Sequence, residues 1–118
     1  MSSPVIILTT LSAATDATPF ARALVQSGLA ACVNVLPPMT SIYRWKGAIE
    51  EESEQQLLIK TTDDRVAALQ AHFNAAHPYE IAEFLVVPIS EGSPAYLRWL
   101  VSSLATPAAP GPGGTERS

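Results

Sequence analysis

From Val5 to Leu11 the chain reads Val-Ile-Ile-Leu-Thr-Thr-Leu, β-branched and nearly continuous in its apolar character. Such a run suits a strand covered on both faces, so this one is expected at the centre of a sheet. Thr15 or Asp16 then offers an N-cap, Pro19 falls in the first turn and Gly28 supplies the stop. Between them Phe20, Leu24 and Val25 share a helical face, with Ala17 and Ala21 close beside them. The spacing predicts an amphipathic helix lying on a sheet.

Ala31 to Leu36 reads as a second strand, interrupted by Pro37-Pro38 and resumed from Met39 through Lys46. Proline removes ladder donors, so the pair implies a bulge or bend in one strand. Gly47 marks a turn, and a return strand runs from about Ile49 to Thr61 with Leu57-Leu58-Ile59 as its buried part. Glu50, Glu52 and Glu54 fall on one face of it, and pairing of Arg44 and Lys46 against these glutamates is expected across the hairpin. So long a two-stranded arm exceeds what a small core can cover, which predicts that it reaches onto another subunit.

Asp63 or Asp64 is expected to cap a second helix, with Val66, Leu69 and Phe73 at core-facing spacing and an end near His77-Pro78. A further strand spans Glu83 to Val87, and a last helix runs from Ala95 to about Leu104. The order β-α-β-β-α-β plus a final helix is the ferredoxin-like pattern of an α+β sandwich, with two helices on one sheet face. The other face needs a cover, and association of subunits is the expected source. Residues 1–104 read as one domain, and 105–118, rich in Ala, Pro and Gly, as a disordered tail.

Composition narrows the function. The 118 residues are one domain's worth, and 47% hydrophobic residues exclude disorder for the body of the chain. Only 15% of residues are charged, which again suggests surface covered by partner subunits. A net charge of −4, with seven basic residues scattered along the chain, excludes nucleic acid. The lone Cys32 cannot form an internal disulfide, and Val5 to Leu8 is too short for a signal core or a membrane span. A cytoplasmic protein with no membrane partner is expected.

His77-Pro78-Tyr79-Glu80, with Glu83 nearby, is the densest cluster of functional groups. The imidazole of His77 and the carboxylate of Glu80 have donor types that suit copper, zinc or nickel. The competing reading makes His77 a C-terminal helix cap and Glu80 the partner of a basic residue. Cys32 is a soft-metal ligand or nucleophile on one reading and a small buried hydrophobe on the other. Lys60, at the end of a central strand, meets either an anion or one of the carboxylates. The glutamates at 50, 51, 52 and 54 read as a solvated strand edge. Gly-rich phosphate loops, GxSxG and CxxC are missing, and no organic cofactor or catalytic set is expected.

Five segments appear in order: Ala31-Cys32-Val33-Asn34-Val35, Ser41 to Gly47, Lys60-Thr61, His77-Pro78-Tyr79-Glu80, and Tyr96-Leu97-Arg98-Trp99-Leu100. Together they resemble the CutA divalent-cation-tolerance family over about Val5 to Leu104. The resemblance implies a ferredoxin-like protomer in a homotrimer similar to the PII signalling proteins, with long hairpins bridging subunits. It implies a role in tolerance of divalent cations, copper especially, and a cleft between subunits carrying Cys32, Lys60, His77, Tyr79 and Glu80. Family members proposed to bind copper use a first-strand cysteine and adjacent histidines before Pro-Tyr. Here Thr9 and Thr10 stand in the first strand and Ala76 precedes His77, so part of that set is replaced. Three functions compete: a metal-responsive trimer using His77 and Glu80, a PII-like sensor taking an anion near Lys60, and an acylphosphatase-like hydrolase. The last needs an arginine in the first strand–helix loop, where none occurs.

Overall fold

In the computed structural model, residues 2–76 and 81–104 are described. The segment 77–80 and the tail expected over 105–118 lie outside them. The elements follow as β1 (Pro4–Ser12), α1 (Ala17–Gln26), β2 (Cys32–Val35), β3 (Met39–Trp45), β4 (Ala48–Thr62), α2 (Val66–Ala76), β5 (Leu85–Pro88) and α3 (Pro94–Ser103).

β4 organises the sheet. Its second half pairs with β1 on one side and β2 on the other, while its first half pairs with β3 alone. β2 and β3 therefore act as one strand interrupted at Leu36-Pro37-Pro38, as the prolines imply. The path β2-β4-β1-β5, with all pairs antiparallel, is the ferredoxin-like order, and β1 is central as its unbroken apolar run requires.

Val5, Ile7, Thr9 and Leu11 alternate toward α1 and α2, together with Leu57 and Ile59 of β4. Ile7 and Ile59 meet Leu24 of α1 and Leu69 and Phe73 of α2 in the main core, while Leu11 and Leu57 meet Ala17. Phe73 also stacks edge-on against Phe84, ring centroids 5.1 Å apart. α3 builds a smaller cluster elsewhere, in which Leu100 and Leu104 pack on Ala31 with Tyr96 and Trp99 around them. The Arg65 guanidinium donates to the Leu104 carbonyl at 2.7 Å, closing the C-terminal end of that helix.

Asp16 caps α1, accepting from the Thr18 amide at 3.1 Å, and Gly28 leaves the helix at φ +77°. The cap expected of Asp63 or Asp64 is not made. Asp63–Arg65 form a 3-10 turn ahead of α2, Asp63 accepts from the Ser3 amide, and Asp64 accepts from the Thr62 hydroxyl. Both carboxylates are taken up by this splice between β1 and β4, which is closed again by the Asp63 amide on the Ser3 carbonyl.

The arm turns at Lys46-Gly47, both at positive φ (49° and 84°), so Lys46 belongs to a two-residue turn and not to the strand. Two positive φ values match the twist of a tight hairpin. The register also corrects the expected charge pairing. Arg44 lies opposite Ile49, whereas Tyr43, Ser41 and Met39 lie opposite Glu50, Glu52 and Glu54. The Lys46 ammonium instead sits 5.6 Å from the centroid of the Trp45 ring. The last strand likewise begins at Leu85, two residues later than expected. Phe84 turns into the core and Glu83 is engaged by Gln56.

Candidate functional site

The face of the sheet turned away from α1 and α2 carries the polar chemistry, at two separate places. At one end Cys32 of β2 and Lys60 of β4 are ladder partners, so both side chains leave the same face. Two contacts fix them: the Ala31 amide donates to the Lys60 carbonyl at 2.9 Å, and the Thr61 hydroxyl donates to the Leu29 carbonyl at 2.7 Å.

The Lys60 ammonium lies 5.7 Å from the centroid of the Tyr96 ring, a cation–π contact that binds α3 to the sheet. Among the described residues no carboxylate forms an ion pair with it. The Tyr96 hydroxyl is buried and has no hydrogen-bond partner there either. A buried hydroxyl without a partner costs free energy that a bound group can recover. Cys32 is half-buried, its thiol 3.9 Å from the Asn34 side-chain oxygen, and is thus neither the core hydrophobe nor a fully open thiol.

Of the expected site residues, the structure brings Cys32 and Lys60 together. His77, Tyr79 and Glu80 lie outside the described residues. His72 is half-buried beside Phe20, ring centroids 6.1 Å apart.

The second place was not anticipated. At the root of the arm a cleft of about 440 Å³ opens over Glu54, Gln56, Tyr43 and Glu83. Glu54 is only 8% exposed, so the glutamate run is a solvated edge at Glu51 and Glu52 but not at its last member. Glu54 is flanked in the ladder by Ser12 on one side and Met39 on the other, which draws it inside. The only hint in the sequence is that Glu54 shares its face with Gln56, Leu58 and Lys60. The Tyr43 hydroxyl is pushed up to about 12, first by its hydrogen bond to Glu52, then by lost hydration, and last by the charges of Glu52, Glu54 and Glu50.

Residues 5–103 match the family described as CutA1 divalent ion tolerance protein. The chain belongs to that family. It is 50% identical over 86 residues to the Protein CutA homolog of Xenopus laevis, a match covering 73% of this chain and 57% of that one. It is 44% identical over 95 residues to the divalent-cation tolerance protein CutA of Thermus thermophilus, covering 80% and 92%. The chain spans about half the length of the vertebrate relatives it matches, 45% for the human one. The solved Thermus structure superposes with a TM-score of 0.80 over 85% of this chain and 97% of that one. The PII-like protein CutA from Nostoc, in apo form, gives 0.77 at 31% identity, covering 88% and 97%.

The CutA1 family name raises the question of a metal. Among the described residues no group of three or more His, Cys, Asp or Glu side chains is placed to hold one. Cys32 has an ammonium as its ladder neighbour, which opposes a cation at that thiol. The described residues therefore do not fit a metal centre by themselves. Also among them, no helix is long and apolar enough to cross a membrane.

Proposed function

We propose that this CutA1 chain works in divalent-cation tolerance as a homotrimer with its binding clefts between subunits, and that it is not an enzyme. One observation supports the assembly most directly: the apolar surface left uncovered on a single copy. All four residues of β5 are exposed, with Leu85 at 54%, and Ile42 and Ile49 on the arm are 67% and 62% exposed. Patches of this kind on a small protein mark association surfaces. On this reading residues 1–104 are one domain, 105–118 a disordered tail, and the half-buried free thiol of Cys32 suits the cytoplasm.

In the metal reading, His77 with Glu80 binds copper or another divalent ion weakly at those clefts, since the rest of a ligand set is missing from this chain. Titration calorimetry with Cu(II) and Zn(II) on wild type and His77→Ala tests it. A saturable heat that the variant loses supports the site, and identical isotherms remove His77 from it.

A second reading is favoured by Lys60. An ammonium with no described carboxylate partner, beside the orphaned Tyr96 hydroxyl, suits a small anionic ligand, as in a PII-like sensor. Cys32 and Lys60, with Tyr79, would line that cleft.

A further inference from the structure

Within Pro94–Ser103 only Leu100 is buried, so the seating of α3 depends on the contacts at its two ends. At the C-terminal end Leu104 packs with Leu100 on Ala31, and the Leu104 carbonyl accepts from the Arg65 guanidinium at 2.7 Å. Carbonyls there have no partner further along the helix, and a guanidinium also meets the negative end of the helix dipole. In the first turn the Tyr96 ring lies 5.7 Å from the Lys60 ammonium. Tyr96, Leu100 and Leu104 follow one another at helical spacing, on one face of a rod about 12 Å long. Arg65 and Lys60 come from one stretch of chain, the end of β4 and the turn Asp63–Arg65 that follows it. One cation thus fixes the far end of α3 while the other meets its near end. Each of these contacts lies within a single copy of the chain, and none of them needs a neighbouring one.

We propose that Arg65 is a positioning residue for the Lys60 site: by holding the C-terminal end of α3 it sets Tyr96 against Lys60 and keeps the ammonium in place for a small anion. The inference rests on the reading of Lys60 as an anion site. The ring takes one side of the ammonium and leaves N–H donors for the ligand. A lysine side chain loses much rotamer freedom when it is fixed, and here the ring has fixed it before the anion arrives, which raises affinity. Release of α3 at Leu104 therefore weakens anion binding from a distance, without removing any group that touches the ligand.

The test reads position and affinity separately, on the full chain in its native assembly. NMR of protein carrying 13C-labelled lysine follows the ε-methylene protons of Lys60, which the Tyr96 ring shifts upfield. Lys46, 5.6 Å from the Trp45 ring centroid, is the other lysine of the chain and serves as the internal reference. Tyr96→Leu is expected to remove the Lys60 shift, Arg65→Gln to remove a large part of it, and neither to move Lys46. Titration calorimetry with inorganic phosphate, at constant ionic strength, is expected to show affinity lowered about two- to fivefold in both variants, the scale of a cation–π contact. Arg65→Lys keeps the charge and a donor for the same carbonyl, so it is expected to restore shift and affinity together. Circular dichroism checks folding, and Arg65→Met, which keeps the apolar stem, replaces Arg65→Gln should the latter fail. A Lys60 shift that Arg65→Gln leaves in place overturns the proposal. So does phosphate affinity that is unchanged or raised when the shift is lost, or affinity that Arg65→Lys restores without the shift, which would be an effect of charge alone. Wild-type protein that binds no phosphate overturns the anion reading and this proposal with it, and that failure is told apart by a Lys60 shift that still follows Arg65.

Discussion

Cys32 and Lys60 stand opposite each other across the β2–β4 ladder, so a thiol and an ammonium share one face of the sheet directly beside Tyr96. That neighbourhood favours negative charge over metal cations. Lys60→Ala is therefore expected to abolish stabilisation by small anions while leaving the fold intact. Thermal unfolding in rising concentrations of phosphate and of succinate measures it. A saturable rise in Tm that persists in Lys60→Ala would remove Lys60 from the anion site, since binding to the native state alone raises the midpoint by mass action.

The core prediction rests on β4. Ile59 is fully buried between Ile7 and the residues of α1 and α2. Ile59→Ala is expected to cost about 2–5 kcal/mol in denaturant unfolding at fixed protein concentration. Leu58→Ala, half-buried on the opposite face, is expected to cost less. Equal losses at the two positions would contradict the assignment of the helix-covered face.

Much of this architecture was legible because hydrophobic period and local chemistry agree. The unbroken run Val5 to Leu11 marks a strand paired on both sides, and Asp16 and Gly28 bound α1 by cap and positive φ. Pro37-Pro38 divides one strand into β2 and β3. The Asp63–Asp64 cap failed because Ser3, distant in sequence, recruits the Asp63 side chain, and the adjacent Thr62 hydroxyl takes that of Asp64. The arm's charge pairing failed because the Lys46-Gly47 turn sets the register, and a different loop length would have exchanged the faces. Cys32 and Lys60 were found as neighbours through family motifs. Glu54 was missed because its burial comes from strands on both sides, which an acidic run cannot reveal.

If the arm packs on a sister chain, its exposed isoleucines carry that contact. Ile42 and Ile49 are diagonal neighbours on one face of the hairpin, opposite Glu51 and Arg44. Replacing both by serine removes about 3–6 kcal/mol of potential burial, two to four orders of magnitude in association. Light scattering at micromolar concentration should then shift from a trimer toward a single copy, with the circular dichroism spectrum retained. An unchanged mass for the double variant would exclude the arm from the interface, and a monomeric wild type would remove the assembly altogether.

Tyr43 gives the most local reading of the arm's electrostatics. Its hydroxyl donates to Glu52, and lost hydration together with the charges of Glu52, Glu54 and Glu50 disfavours the tyrosinate, which is why it is pushed up to about 12 from 10.0. Because the folded chain holds this proton more tightly, the associated stabilisation is fully present below pH 10. It is lost as the pH rises from there through about 12, where the unfolded chain ionises first. Of the three tyrosines, the one whose absorbance step disappears in Tyr43→Phe should titrate near 12. Glu52→Gln should lower that step, since the amide oxygen is a weaker acceptor and carries no charge. A step already near 10 in the wild type would mean that Tyr43 does not face the glutamates, and the register placing Glu54 beneath the cleft would have to be redrawn.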